Sequence, residues 1–304
     1  MKRDRHIVSV IIPTIGRDTL AQCQAALAKQ TRPPNEVIVV IDRERRGPAW
    51  ARNEGIRRAH GDLIALADDD AIPPDDWLER LVLAIDTYGA AVAGGILKEI
   101  DPMLDAIRNR TPWPGCETID PGGWVGNTGN IMYARTCLNT LLHQDGYVFN
   151  EQFKYSGEDW ELMSRVRRHH FVVVFVPNHP VHLRRATFWQ HLRHSFQRGR
   201  GIAVLFRIVK SHPSDPIPQD SLLWGQKGQR TSSRWFSAIW VKLVGPFDVH
   251  RFQKKRHFML FWLGEKFQSV GFLWEMIQSS RASGESPKAS TSEEHSHDPL
   301  IPAA

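Results

Sequence analysis

The chain has 304 residues, 41% hydrophobic and 24% charged, with a net charge of +6. That balance fits a globular protein that buries its own core, and it excludes a disordered or collagen-like chain. The three cysteines, Cys23, Cys116 and Cys137, form no CxxC pair, which argues against a zinc ribbon or a disulfide scaffold and suits a reducing cytosol.

The first apolar run, Ile7-Val8-Ser9-Val10-Ile11-Ile12, is too short for a signal peptide and stops at Pro13, so it reads as a buried strand. A helical stretch follows around Leu20–Lys29, then a second buried-type strand, Glu36–Ile41, which ends at Asp42. Pro48 opens a helix running to about His60, at the first-turn position where proline is tolerated. Leu63–Ala67 is a third strand, and it runs directly into Asp68-Asp69-Asp70. Pro73-Pro74-Asp75-Asp76 opens the next helix, with Leu78, Leu81, Val82 and Ile85 turned inward. Strands alternating with helices of this length predict right-handed crossovers and a mostly parallel sheet. Ligands bind beyond the carboxyl ends of such strands, where Pro13, Thr14, Asp42 and Asp68 to Asp70 all fall.

Residues 101–130 are rich in Pro, Gly and Trp and read as loops over a site. Val172–Val176 is a further strand, and a helix is expected near Thr187–Phe206. From Arg165 to Lys210 there are ten Lys or Arg and six His but no Asp or Glu, a segment that attracts phosphates or an anionic surface. Between Trp224 and Ile277 aromatic residues recur at helical spacing, among them Trp235, Trp240, Phe258, Phe261, Trp262 and Phe272. Glu265 and Lys266 interrupt the second stretch, so it is expected to lie on a membrane rather than cross it, or to pack on the main domain. No run of uncharged apolar residues is long enough for a spanning helix.

Three adjacent carboxylates repel one another unless a cation or hydrogen-bond donors compensate. In extended geometry residues 68 and 70 face the same side and would share one divalent ion, for which oxygen ligands favour Mg²⁺ or Mn²⁺. A solvated acidic turn capped by Asp75 and Asp76 accounts for the same residues without a metal. Glu158-Asp159 offers carboxylates for proton transfer. The same segment fits Ser-x-x-Asp, a helix start with Ser156 as cap. Gly126-Asn127-Thr128-Gly129-Asn130 has small residues where backbone approaches a ligand closely, or forms a plain turn. Trp124 and Trp160 would stack on a sugar face or simply pack.

In order, Val8 to Thr14, Glu36–Asp42, Gly47 to Gly55, Gly61 to Asp70, Gly126 to Asn130 and Gly157 to Leu162 resemble the family 2 glycosyltransferases of the GT-A fold over roughly residues 7–200. The resemblance implies an α/β, Rossmann-like GT-A domain and inverting transfer from a nucleotide-sugar to an acceptor hydroxyl. It assigns the nucleotide to Pro13, Thr14, Asp42, Arg52 and Asn53, the metal to Asp68 and Asp70, and the ribose to Asp69. Asp159 becomes the general base with Glu158 as its rival, and His182 a third ligand, since neutral imidazole suits Mn²⁺. Arg198 and Arg200, in Gln197-Arg198-Gly199-Arg200-Gly201, would meet the leaving diphosphate together with Arg184 and Arg185. Gly126, Asn127, Trp124 and Trp160 would face the sugar and acceptor. One departure is Arg43, which follows Asp42 where the family often carries a second acid.

The expected organisation is a GT-A domain over 1–210, an amphipathic, membrane-associated helical extension over 211–280 and a disordered tail over 281–304. Expected partners are a nucleotide-sugar and a glycan or lipid-linked acceptor in cell-surface polysaccharide synthesis, with no nucleic acid. The expected location is cytoplasmic, with peripheral contact on the inner face of the membrane. Two alternatives fit less well: a nucleotidyltransferase, disfavoured by the single glycine after the first strand, and a catalytically silent membrane- or nucleic-acid-binding protein, disfavoured by the intact acids at 68, 70, 158 and 159.

Overall fold

A computed structural model describes residues 6–102, 104–105, 114–120, 127–211 and 255–284. Trp124, Gly126, the helical spacing around Trp235 and the tail beyond 284 lie outside the described residues.

The N-terminal half follows the predicted alternation: β1 (Val8–Thr14), α1 (Leu20–Leu27), β2 (Glu36–Ile41), α2 (Pro48–Arg58) and β3 (Leu63–Leu66). A two-residue β4 (Ala71–Ile72) precedes α3 (Trp77–Tyr88), and then come β5 (Val92–Gly94), β6 (Lys98–Glu99) and β7 (Thr118–Ile119). The chain continues through β8 (Ile131–Ala134), α4 (Arg135–Asp145), α5 (Glu158–Arg168), β9 (Val173–Phe175) and β10 (Val181–His182). Two long helices close the described chain, α6 (Phe188–Ser211) and α7 (Lys255–Gly284).

Seven strands form one sheet in the order β2-β1-β3-β8-β5-β9-β7. Five run in the same direction, while β8 and β7 are reversed. Alternation along the strands divides the core into two layers. Val8, Val10, Ile12, Leu63 and Ala65 pack with Cys23 and Leu27 of α1 and with Trp77, Leu81 and Ile85 of α3. Ile11, Ile64 and Leu66 face the other way, onto Ala49 of α2, Leu138 and Leu141 of α4 and Leu162 and Val166 of α5. Because helices cover both faces, these strands read as continuous apolar runs rather than alternating ones. Each fully buried Val, Leu or Ile contributes about 1.5–3 kcal/mol.

A second, three-stranded sheet, β4-β10-β6, sits at the carboxyl edge of the first. His182 pairs with Ala71 of β4 on one side and with Glu99 of β6 on the other. This small sheet brings the segment after the acidic run against the interior of the basic segment, at Val181 and His182.

The pair α6–α7 is held by close backbone approach. A Cβ at Gly199 would lie 1.8 Å from the Gln268 carbonyl oxygen, and one at Gly271 would lie 2.0 Å from that of Phe196. Ile202, Ala203, Phe206, Phe272 and Met276 fill the seam. Among the described residues no helix is long and apolar enough to cross a membrane.

Candidate active site

Asp68 follows β3 directly, and the backbone then turns, with Ala71 N donating to Asp68 O at 3.1 Å. This corrects the expectation of an extended run. In this turn Asp68 is paired with Arg52, while Asp69 and Asp70 share Arg17. Asp68 Oδ1 accepts from Arg52 Nη2 at 3.2 Å, while its other oxygen would lie 2.5 Å from a Cβ at position 129. A larger residue at 129 would push that carboxylate from its present position. Asp69 accepts from Thr14 Oγ1 and, at 2.8 Å, from Arg17 Nη1. Asp70 accepts from the same Arg17 nitrogen at 2.8 Å, and its Oδ1 lies 3.0 Å from His182 Nε2.

The electrostatics follow from these contacts. Burial pushes Asp70 up, but His182, Arg17 and Arg184 more than offset it and hold the carboxyl below its ordinary range. His182 is opposed by burial yet raised to about 9, because Asp70 and Glu99 flank its two nitrogens. Asp69 is raised, mainly by burial.

The second acidic element opens α5. Gly157 is the N-cap residue, with φ 102°, and no side chain caps the helix. Ser156 therefore does not cap the helix as the Ser-x-x-Asp pattern predicted; its hydroxyl is buried without a hydrogen-bond partner. Asp76 likewise occupies the N-cap position of α3 without making a side-chain cap bond. Asp159 Oδ1 accepts from the Trp160 backbone at 2.9 Å. Burial, and then the adjacent Glu158 charge, raise Asp159 to about 7, against the pull of Arg52.

Arg52 joins the two acidic elements. It is buried, and it donates to Glu158 Oε1 at 2.7 Å and to Asp68 at 3.2 Å. The guanidinium from α2 thus spans Asp68 after β3 and Glu158 at the head of α5. Two polar atoms here, Arg52 Nε and Glu158 Oε2, are buried without a hydrogen-bond partner within the protein, and such groups are ordinarily met by water, an ion or a ligand.

The other expected residues make the following contacts within the fold. Asp42 accepts from the Arg46 and Gly47 backbones and so organises the β2–α2 loop. Asn53 exchanges two hydrogen bonds with the Phe149 backbone and donates a third to Glu151. Pro13 is half-buried in β1 opposite Val40. Asn127 accepts from the Gly129 backbone, closing the turn beside Asp68. Trp160, partly buried, packs against Phe153, Val204 and Leu205. Arg200 donates to Glu275 of α7 at 2.7 Å and stacks on Tyr155, contacts that tie it to the last helix. Arg198 is half-buried in α6.

Sequence reasoning missed Arg17 and Glu99. Arg17 carried a signal, since it stands three residues beyond Thr14 on the edge already singled out. Glu99 carried none, because only the pairing of β6 with β10 brings it to His182.

A divalent ion fits the donor chemistry at Asp68, Asp70 and His182, two carboxylates and an imidazole whose second nitrogen is fixed by Glu99. Among the described residues, however, no three His, Cys, Asp or Glu side chains converge as a ready-made cage. The acids turn instead to Arg17, Arg52 and His182.

Residues 40–149 match the family described as Glycosyl transferase family 2. The chain is similar to the glycosyltransferase AglE of Haloferax volcanii, 32% identical over a match taking in 29% of this chain and 38% of the relative. It is also similar to the succinoglycan biosynthesis protein ExoO of Rhizobium meliloti, 37% identical over 25% of this chain and 22% of the relative. The matched part is thus well under two thirds of either relative's length. Among solved structures it resembles the mannosyltransferase PcManGT of Pyrobaculum calidifontis in complex with GDP-Man and Mn²⁺, with a TM-score of 0.58, 14% identity, and coverage of 89% of this chain and 88% of that one. That likeness establishes the GT-A fold.

Proposed function

We propose that this chain, which carries a family 2 glycosyltransferase region at residues 40–149, transfers a sugar from a nucleotide-diphosphate-sugar to an acceptor hydroxyl with inversion. The observation that carries the reading is Arg52, which ties Asp68 to Glu158 and makes one site of two acidic elements far apart in sequence.

In this account Asp159 accepts the proton of the acceptor hydroxyl. The freed oxygen forms its bond to the anomeric carbon as the bond to the diphosphate breaks on the opposite face. A base acting in line gives inversion; retention would call for a nucleophile on the sugar's other face. A residue poised near neutrality suits the task, and Asp159 is raised to about 7. Asp68, Asp70 and His182 would hold Mn²⁺ or Mg²⁺, which supplies positive charge to the leaving diphosphate. Arg17, half-exposed beside Asp69 and Asp70, is the cation placed to exchange those acids for donor phosphates. Thr14, held against Asp69, belongs to the donor side of the same edge. Trp124, Gly126 and Asn127 remain the proposed acceptor side.

The similarity to a succinoglycan biosynthesis protein supports a glycan or lipid-linked acceptor in polysaccharide assembly. The exposed apolar residues Val270, Trp274 and Ile277 of α7 support peripheral contact with the inner face of a cell membrane. The experiment for the core reading is thermal melting with nucleoside diphosphates and Mn²⁺, together and apart. Joint addition is expected to raise the melting temperature more than either alone. Absence of any rise across a panel of nucleotides would contradict it.

A further inference from the structure

Glu99 has no part in the reaction described above, yet its carboxylate is placed with unusual care. Its side chain is 1% exposed, and Oε2 lies 3.0 Å from His182 Nδ1. The other ring nitrogen, Nε2, lies 3.0 Å from Asp70 Oδ1. Sheet register enforces this line. His182 stands between Ala71 and Glu99 in the ladder, Leu183 N donates to Asp70 O at 2.8 Å, and Ile100 N donates to His182 O at 3.0 Å. Asp105 accepts from the Glu99 backbone at 3.1 Å and fixes the far side of β6.

A buried carboxylate is costly, and a buried ion pair is often replaceable as a whole by apolar side chains without loss of stability. Here it has a chemical consequence. An imidazole binds a cation through a nitrogen lone pair, and its two nitrogens are distinguished by the hydrogen bond the other one makes. An ionised carboxylate only accepts, so Glu99 commits Nδ1 to carrying a proton. Asp70 makes the same demand on Nε2 in the metal-free site, so Nε2 offers its lone pair only when a cation takes up the Asp70 carboxylate and displaces that proton, while Glu99 keeps Nδ1 protonated.

We propose that Glu99 is a positioning residue, which orients His182 and fixes its tautomer so that Nε2 joins Asp70 as a ligand to a divalent cation. The inference rests on the metal reading given under the proposed function, and its test separates the two.

The measurement is calorimetric titration of the full chain with Mn²⁺, using the wild type, Asp70→Ala, Glu99→Gln, Glu99→Asp, His182→Ala and the double variant Glu99→Gln/His182→Ala. Glu99→Gln keeps the shape but lets an amide donate to Nδ1, which turns the proton to Nε2. It is expected to weaken Mn²⁺ binding about 10–100-fold, the range for second partners of metal-bound histidines. Glu99→Asp, which restores an acceptor-only group, should recover part of that loss. In the His182→Ala background, Glu99→Gln should change the affinity no further, a result that a purely structural role would not produce. Circular dichroism and melting of each variant identify those that fail to fold. Wild-type affinity in Glu99→Gln, or an equal loss with and without His182, overturns the role of Glu99 while leaving the metal reading intact. Absence of Mn²⁺ binding in the wild type overturns the metal reading, and the role of Glu99 with it.

Discussion

Asp70 and Asp159 are both carboxylates withdrawn from water at one site, but their surroundings differ. Asp70 sits between the Arg17 guanidinium and the His182 imidazole and is held below its ordinary range. Asp159 takes a hydrogen bond from the Trp160 backbone, stands beside Glu158, and rises to about 7. Two acids whose environments drive them apart are suited to two roles, a permanent anion for binding and a base that exchanges protons near neutrality. Arg52 touches both regions and keeps the second from rising further.

The largest effect expected from breaking this contrast is at the base. Asp159→Asn should retain donor binding while transfer falls about 10²–10⁴-fold, the usual contribution of a positioned general base; calorimetry with donor beside a diphosphate-release assay checks both halves. Next comes the connector. Arg52→Gln leaves Glu158 and Asp68 without their shared cation, and removal of one partner from a buried pair costs about 3–5 kcal/mol. Denaturant unfolding should report that loss, and the surviving activity should require a higher pH. At the binding end, Asp70→Ala should abolish the Mn²⁺-dependent part of donor stabilisation, worth about 2.7 kcal/mol with ligand at a hundred times its Kd. A thermal shift equal to that of the wild type would remove Asp70 from the ligand set. The smallest effect is expected away from both acids. Gly199→Val drives a side chain towards the Gln268 carbonyl oxygen, and such overpacking costs about 1–3 kcal/mol. The melting temperature should fall while the pH dependence of transfer stays unchanged.

Apart from β4, the strands and helices before residue 90 were legible because buried parallel strands form continuous apolar runs and Pro48 marks a helix start. The reversed strand β8 and the short strands β4, β6 and β10 were not, since segments of two to four residues carry no periodicity of their own. The acidic elements at Asp68 and Glu158 could be read from their positions after a strand and before a helix. Their partners were harder, because Arg52, Arg17 and Glu99 reach them through tertiary contacts that local pattern does not encode. Gly199 and Gly201 carry a packing demand that the sequence pattern did not announce. Read as part of a basic phosphate-facing phrase, they are places of close backbone approach, Gly199 to Gln268 and Gly201 to Ser156. Arg200 between them pairs with Glu275 for the same packing purpose.

The claim that Asp159 is the base is tested most directly by the pH dependence of transfer at saturating donor and Mn²⁺. The residue works only when ionised, and its raised value means that protonation sets in as pH falls through about 7. The rate should therefore climb through that point to a plateau above it, and Asp159→Asn should flatten the residual profile. A wild-type rate already at its plateau near pH 5, or an unchanged profile in Asp159→Asn, would contradict the assignment.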